Sequence, residues 1–231
     1  MRLNKYLSET GMCSRRQADQ WIGDGRVQVN GLPAGLGAQV AEGDEVQVDG
    51  QPVARRESNV YLALNKPIGV TCTTERHVDG NIIDFINHPQ RIFPIGRLDK
   101  DSEGLILLTS NGDIVNEILR SENNHEKEYV VTVDRPFDDA FLAAMSAGVE
   151  ILGTVTKPCR VRRIGRSTFG VVLTQGLNRQ IRRMCAAFDY QVRRLQRTRI
   201  TNIRLDGIKV GQWRNLSADE LRGLLPDRAR W

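Results

Sequence analysis

The stretch "GRLDKDSEGLILLTS", residues 96–110, sets Arg97, Asp99, Lys100 and Asp101 directly before an unbroken apolar run. Gly96 and Gly104 bracket a polar loop, and "LILLT" reads as a buried strand that follows it. A loop held by such a strand presents a side chain on rigid support, a common setting for a reactive carboxylate. The same spacing suits an ordinary turn in which Asp99 or Asp101 accepts backbone N–H groups.

Outward from that strand the chain alternates strand and helix signals without a regular βαβ repeat. "YLALN" (61–65), "KEYVVTV" (127–133), "CRVRRI" (159–164) and "FGVVLT" (169–174) have strand character. "DDAFLAAMSAG" (138–148), "LNRQIRRMCAAF" (177–188) and "SADELRGLL" (217–225) have helical spacing, with Asn178 and Ser217 as expected N-caps. The pattern predicts an α+β domain over 60–231 with a mixed, largely antiparallel sheet and flanking helices. The polar stretch "QPVARRESN" (51–59) reads as a linker. Before it, residues 1–50 form a small αα-β-β unit. Leu3, Tyr6 and Leu7 make a helical stripe ended at Gly11, Ser14 and Gln17 open a second helix as a capping box, and "RVQVNG" and "GDEVQVDG" are strands closed by Asn30-Gly31 and Asp49-Gly50 turns.

Composition narrows the class. Of 231 residues 40% are apolar and 26% charged, ordinary for a soluble globular protein. No run approaches the roughly 18 apolar residues of a membrane span, so no membrane role is expected. The N-terminus lacks the apolar core of a secretory signal, which points to a cytoplasmic protein. Cys13, Cys72, Cys159 and Cys185 are scattered, and neither they nor His77, His88 and His125 have metal-ligand spacing, so reduced, packed thiols and no metal site are expected. The net charge of +5 conceals an asymmetry: Lys157–Lys209 holds 14 basic residues against Asp189 and Asp206, leaving 19 basic and 26 acidic residues elsewhere. Such a basic segment attracts polyanions, with nucleic acid the leading partner and a salt-bridged surface the alternative.

Two further motifs bear on chemistry. In "GLNRQIRRM" (176–184), Arg179 shares a helical face with Arg182 and Arg183 by spacings of three and four, and an arginine there either binds phosphate or keeps a carboxylate ionised. In "HEKEYVV", Tyr129 lies in a strand, where core packing with a hydrogen-bonded hydroxyl is the common arrangement.

Taken together these segments resemble a known family. "RLNKYLSETGMCSRRQADQWIGDGRVQVNG" with "GDEVQV" resembles an S4 RNA-binding domain. "LNKPIGV", "GRLDKDSEGLILLTSNGD", "EKEYVV" and "GLNRQIRRM" are similar, in order, to the motifs of the RsuA/RluB/RluE/RluF group of pseudouridine synthases. "FPIGRLDKDS", "NHEKEY" and "LNRQIRRMC" look most like its RluF branch, although the sequence closes on "RARW" where some members of that branch carry a long basic tail adding RNA affinity.

The resemblance implies a cofactor-independent isomerase that breaks the N1–C1′ bond of a uridine in RNA, turns the freed uracil and joins C5 to C1′. It implies that Asp99 is the catalytic carboxylate, as nucleophile on C1′ or base at C2′, that Arg182 is its cationic partner, and that Tyr129 packs on the target base near the C5 proton. Arg97 is expected at the RNA backbone or holding the flipped nucleotide, with Arg2, Lys5, Arg15, Arg16, Arg179 and Arg183 as further RNA contacts. The expected substrate is a stem-loop uridine of 23S rRNA, with a tRNA anticodon uridine as a second target, and nothing demands more than a monomer. The competing expectation is a non-catalytic S4-domain RNA-binding or ribosome-assembly factor, which makes no demand on Asp99, Tyr129 and Arg182.

Overall fold

The computed structural model describes residues 1–53, 58–119 and 125–226. They fall into two compact units, one centred on Met1–Val60 and a larger one comprising Tyr61–Asn87, Phe93–Thr109 and the chain from Asp113 onward.

In the smaller unit, α1 (Leu3–Thr10) ends at Gly11, whose φ of 84° only glycine adopts cheaply. Ser14 and Gln17 form the expected capping box at the start of α2 (Arg15–Gly23). Strands β1 (Val27–Val29), β2 (Leu32–Pro33), β3 (Val46–Val48) and β4 (Gln51–Pro52) make an antiparallel sheet ordered β2-β1-β3-β4. Asn30-Gly31 and Asp49-Gly50 both take positive φ, the two-residue hairpin turn that those dipeptides favour. Leu3, Leu7, Ala18, Ile22, Val27, Val46 and Val48 pack as one core. The expected linker is shorter than its sequence suggested, because Gln51 and Pro52 pair with β3 and Val53 is buried in that core, where its carbonyl accepts the Tyr6 hydroxyl at 3.0 Å. Residues 54–57 of the linker and the closing "RARW" lie outside the described residues.

The larger unit is built on a nine-stranded sheet. Its chain order begins with β5 (Tyr61–Lys66), α3 (Ile82–Ile86), β6 (Phe93–Ile95), β7 (Glu103–Thr109) and α4 (Asp113–Leu119). Then come β8 (Lys127–Val133), α5 (Asp139–Ala147), β9 (Glu150–Ile151), β10 (Thr154–Val155), β11 (Arg160–Arg163) and β12 (Thr168–Leu173). It closes with α6 (Gln180–Ala186), β13 (Val192–Ile200), β14 (Ile203–Arg204), β15 (Trp213–Asn215) and α7 (Ala218–Leu224). The main path runs β11-β12-β8-β13-β7-β5-β15, with β14 on β13 and β6 on β7, while β9 and β10 pair separately. Only β13–β7 is parallel, so the sheet is mixed and mostly antiparallel, as the sequence predicts.

Two apolar clusters hold this sheet to its helices. Val131, Phe169 and Val171 pack on Phe141 and Met145 of α5 and Met184 of α6, with Phe137 and Phe141 each edge-on or tilted against a neighbouring ring. Ala63, Leu105, Leu107 and Ile200 pack on Ile114 and Ile118 of α4 and Leu224 of α7. Burying several large aliphatic and aromatic side chains at about 1.5–3 kcal/mol each makes β7, β8 and β13 a rigid platform. The α7 start follows expectation, with Ser217 and Glu220 as a capping box. The α6 start does not: Asn178 is no N-cap, and Arg179 fills that position with a left-handed backbone, φ 50°.

Candidate active site

Strand β6 pairs antiparallel with β7, Ile95 opposite Leu107, so residues 96–102 form the loop between them. Three backbone contacts fix its course. The Leu98 N–H donates to Cys72 Sγ at 3.4 Å, the Ser102 N–H to the Asp99 carbonyl at 3.0 Å, and the Gly69 N–H to the Lys100 carbonyl at 2.8 Å. Leu98 and Ser102 are buried, while the Asp99 side chain stays 33% exposed between them. Beneath the loop Lys66, at the end of β5, is fully buried and donates to the carbonyls of Pro67 and Val70, each at 2.9 Å. Burial lowers its pKa, partly offset by Cys72, Asp101 and Asp99. Lys66 therefore pins the 67–70 turn that in turn holds Lys100.

Arginines approach the loop from the α6 end. Arg179 grips Asp101 with two bonds, Nη1 to Oδ1 at 3.1 Å and Nη2 to Oδ2 at 2.9 Å, and its Nη1 lies 3.5 Å from Asp99 Oδ2. Arg182 donates from Nη2 to the Asp101 carbonyl at 2.8 Å and to Ser102 Oγ at 3.2 Å. These contacts, the Arg179 hydrogen bonds foremost, hold the Asp101 carboxyl below its usual range. The cation beside Asp99 is thus Arg179, where the QIR motif led us to expect Arg182. The physical reason is the left-handed turn at Arg179, which takes it off the α6 face shared by Arg182 and Arg183.

Asp99 lines a cavity of about 600 Å³ whose wall includes Tyr129, Lys127, Arg197 and the aliphatic side chains of Leu107, Leu173, Leu195 and Ile200. Strand register explains the grouping. Tyr129 of β8 lies opposite Arg197 of β13, and Lys127, two residues earlier and so on the same face, lies opposite Ile200. On its other side Arg197 pairs with Gly104 of β7, where a Cβ would stand 2.3 Å from the Arg197 carbonyl oxygen. Arg197 is buried, and its Nε donates to the Leu105 carbonyl at 2.7 Å. Its Nη2 has no hydrogen-bond partner among the described residues. Lys127 donates from Nζ to the His125 carbonyl at 3.0 Å, and burial with the nearby Arg197 charge lowers its pKa to about 8.

Asp99, Tyr129, Arg97 and Arg179 therefore meet at one cavity, while Arg182 supports its loop from behind. Arg183 does not join them: it is exposed and folds back on Asn178, donating to the carbonyl at 3.1 Å and to Oδ1 at 3.2 Å. In the smaller unit Arg2, Arg15 and Arg16 are exposed, and Lys5 pairs with Glu9 at 3.5 Å. The basic segment is less bare than its sequence implies, because Arg160, Arg162, Arg163, Arg179, Arg182, Arg194 and Arg199 pair with carboxylates from outside it. Sequence reasoning missed Lys66, Lys127 and Arg197. A lysine directly before proline at the end of an apolar strand was the available signal for Lys66, and the alternation Lys127-x-Tyr129 for Lys127. Among the described residues no three His, Cys, Asp or Glu side chains are grouped to hold a metal ion, and no helix is long and apolar enough to cross a membrane.

Comparison with known proteins agrees with this architecture. Residues 60–187 match the RNA pseudouridylate synthase family and residues 1–46 the S4 domain. The dual-specificity RNA pseudouridine synthase RluF of Escherichia coli O6:H1 is 58% identical over 96% of this chain and 77% of its own length. The ribosomal large subunit pseudouridine synthase B of Bacillus subtilis is 33% identical over 96% of this chain and 95% of its own. The crystal structure of a pseudouridylate synthase superposes with a TM-score of 0.71 at 30% identity, covering 97% of this chain and all of that one. A nine-stranded mixed sheet with a carboxylate loop at its central cavity, preceded by an S4 domain and matched across nearly the whole chain, makes this protein a member of the RNA pseudouridylate synthase family, an RNA-modifying isomerase.

Proposed function

We propose that Asp99 is the catalytic carboxylate and that the cavity it lines receives a uridine flipped from RNA. The observation that carries this is the juxtaposition of a partly exposed carboxylate, a tyrosine and aliphatic walls in one cavity of about 600 Å³. As N1–C1′ breaks, positive charge grows at the sugar, and Asp99 offsets it while acting as nucleophile on C1′ or base at C2′. Arg179 Nη1 pairs with Asp99 Oδ2 at 3.5 Å and so holds the carboxylate at the cavity. Tyr129 stacks on the uracil, a contact that tolerates the ring's turning between bond cleavage and C5–C1′ closure. Arg182 positions the loop through Asp101 and Ser102. Arg97, exposed beside Asp99, contacts the RNA backbone, and Arg2, Lys5, Arg15 and Arg16 supply sequence-independent phosphate contacts.

The substrate in this reading is an unpaired or bulged uridine of 23S rRNA, with a tRNA anticodon uridine as a second target. The name of the RluF relative, a dual-specificity enzyme, supports two targets. Extruding an unstacked base costs less than the few kcal/mol needed for a paired one. In this reading the enzyme is a cytoplasmic monomer that works without a cofactor.

Tritium release from [5-³H]uridine-labelled RNA tests this, because the C5 hydrogen is lost only when C5 becomes the glycosidic carbon. The wild-type chain is expected to release tritium from unmodified 23S rRNA and tRNA, and Asp99→Asn to bind the same RNAs while release falls to background. Undiminished release by Asp99→Asn would reject the assignment of the carboxylate.

A further inference from the structure

We propose that Arg197 and Lys127 form a cationic floor that binds the uracil oxygens and takes up the negative charge placed on the ring as the N1–C1′ bond breaks. This rests on the reading of the cavity as the uridine site and adds catalytic groups that touch the base rather than the sugar.

The first observation is an unmet demand. Arg197 is 4% exposed, lines the cavity and donates from Nε to a backbone carbonyl, while its buried Nη2 has no acceptor among the described residues. A buried guanidinium donor left unpaired is costly, so its partner is to be sought in what the cavity binds. The second observation is the company it keeps. Lys127 lines the same wall, and neither cation pairs with a carboxylate among the described residues. Asp99, the one carboxylate among the described residues that line the cavity, pairs with Arg179. The depressed pKa of Lys127, due to burial and to Arg197, is what two close cations show when no anion is between them. The third is the lining: the Arg197 guanidinium carbon lies 6.0 Å from the Tyr129 ring centroid, and Leu107, Leu173, Leu195 and Ile200 add apolar surface on which a planar base can pack.

The chemistry supplies the missing anion. When N1–C1′ cleaves, its electron pair moves onto the uracil and spreads over N1, O2 and O4, while C1′ is left electron-poor and is met by Asp99. A fixed guanidinium donor and an ammonium beside those oxygens stabilise the charge as it forms, without reorganising. The ring geometry adds a second point. A half-turn about the N3···C6 axis exchanges N1 with C5 and O2 with O4, so donors that met O2 before the turn meet O4 after it. The ring then attacks C1′ through C5 and gives up its negative charge in doing so; loss of the C5 proton together with protonation of N1 completes the neutral product. Arg197 and Lys127 thus serve both orientations without moving.

Leaving-group sensitivity tests this. Single-turnover loss of the parent N-nucleoside is measured on RNA carrying either uridine or 5-fluorouridine at the target, for wild type, Arg197→Met, Arg197→Lys and Lys127→Met. Fluorine makes the departing ring a more stable anion that needs less help. Removing either cation is expected to slow uridine about 10²-fold and 5-fluorouridine about tenfold less than that, with Arg197→Lys recovering part of the rate. Equal losses on the two substrates in folded protein, or no loss, would overturn the proposal. Should Arg197→Met fail to fold, Lys127→Met, whose side chain makes one hydrogen bond to a backbone carbonyl, decides the matter. Full activity of Asp99→Asn would instead remove the reading of the site, whereas an inactive Asp99→Asn with equal losses on both substrates would remove only this inference.

Discussion

Replacing Gly104 by alanine puts one methyl group where three strands of the site are locked together. Gly104 has a φ of +104°, and its added Cβ would lie 2.3 Å from the carbonyl oxygen and 2.8 Å from the nitrogen of Arg197. These are backbone atoms of the neighbouring parallel strand, so no rotamer change relieves the overlap. The unfavourable φ costs about 1–3 kcal/mol. Forcing β7 and β13 apart costs about another 1–3 kcal/mol, as overpacking generally does. The reduced freedom of the unfolded chain returns only about 0.4–1 kcal/mol. A net loss of about 1–5.5 kcal/mol, at about 2–4 °C per kcal/mol for a chain of this size, lowers Tm by about 2–22 °C. Scanning calorimetry reads it, with Gly165→Ala as control. There the new Cβ meets Thr168 Cβ at an ordinary 3.8 Å, and Tm should stay within about 2 °C. Because Arg197 and the Asp99 loop flank Gly104, tritium release by Gly104→Ala should also fall well below wild type at temperatures where both are folded. A variant melting within about 2 °C of wild type would refute the claim that Gly104 is required by the close approach of β13.

Asp101→Asn should change stability by less than about 1 kcal/mol, since Asp101 is 48% exposed, yet lower tritium release because Arg179 loses its two-bond grip on the carboxylate, whereas the Arg182 bond to the Asp101 backbone carbonyl remains. The folded-state pKa of Asp101 is lowered, so its stabilising contribution is present above the ordinary value of 3.8 and is lost as pH falls through the depressed one. The Tm difference between wild type and Asp101→Asn should thus be flat near neutrality and vanish in acid. Lys127 behaves oppositely: with a folded pKa of about 8 against 10.5, the unfolded chain binds more protons between those values. Stability of wild type relative to Lys127→Met should therefore rise with pH across that window, and a flat difference in Tm would contradict the burial of Lys127. Arg199, 13% exposed, bonds Glu128 Oε2 at 3.0 Å, Glu126 Oε2 at 2.9 Å and the Thr201 carbonyl at 2.7 Å. Arg199→Met removes a cation shared by both carboxylates, which keep Arg160 and Arg162, and should cost about 1.5–3 kcal/mol by urea unfolding, whereas Arg222→Ala, which breaks an exposed pair with Asp219, should cost under about 0.5 kcal/mol.

What the sequence disclosed about this site divides along the distance over which each feature is determined. The Ser14–Gln17 and Ser217–Glu220 capping boxes, the Asn30-Gly31 and Asp49-Gly50 turns and the polar loop between Gly96 and Gly104 are set by neighbours within a few residues, and each was legible. Strand β13 was not. Its register shifts twice against β8, between Val192 and Arg194 and between Arg197 and Arg199, which breaks the two-residue alternation by which strands are recognised. Its arginines also read as a basic surface, although Arg197 is buried. The same non-locality governs which charge meets which. Asp99 and Arg182 both stood out in the sequence as candidate site residues, but the cation that reaches Asp99 is decided by one left-handed residue, Arg179, at the mouth of α6. Burial of Arg197 likewise depends on Gly104 and Tyr129 flanking it from β7 and β8, a contact visible only once the sheet order is known. Sequence motifs therefore locate the proposed catalytic carboxylate, which sits on a short loop, while the groups that would answer charge on the base lie across the sheet and emerge only from its register.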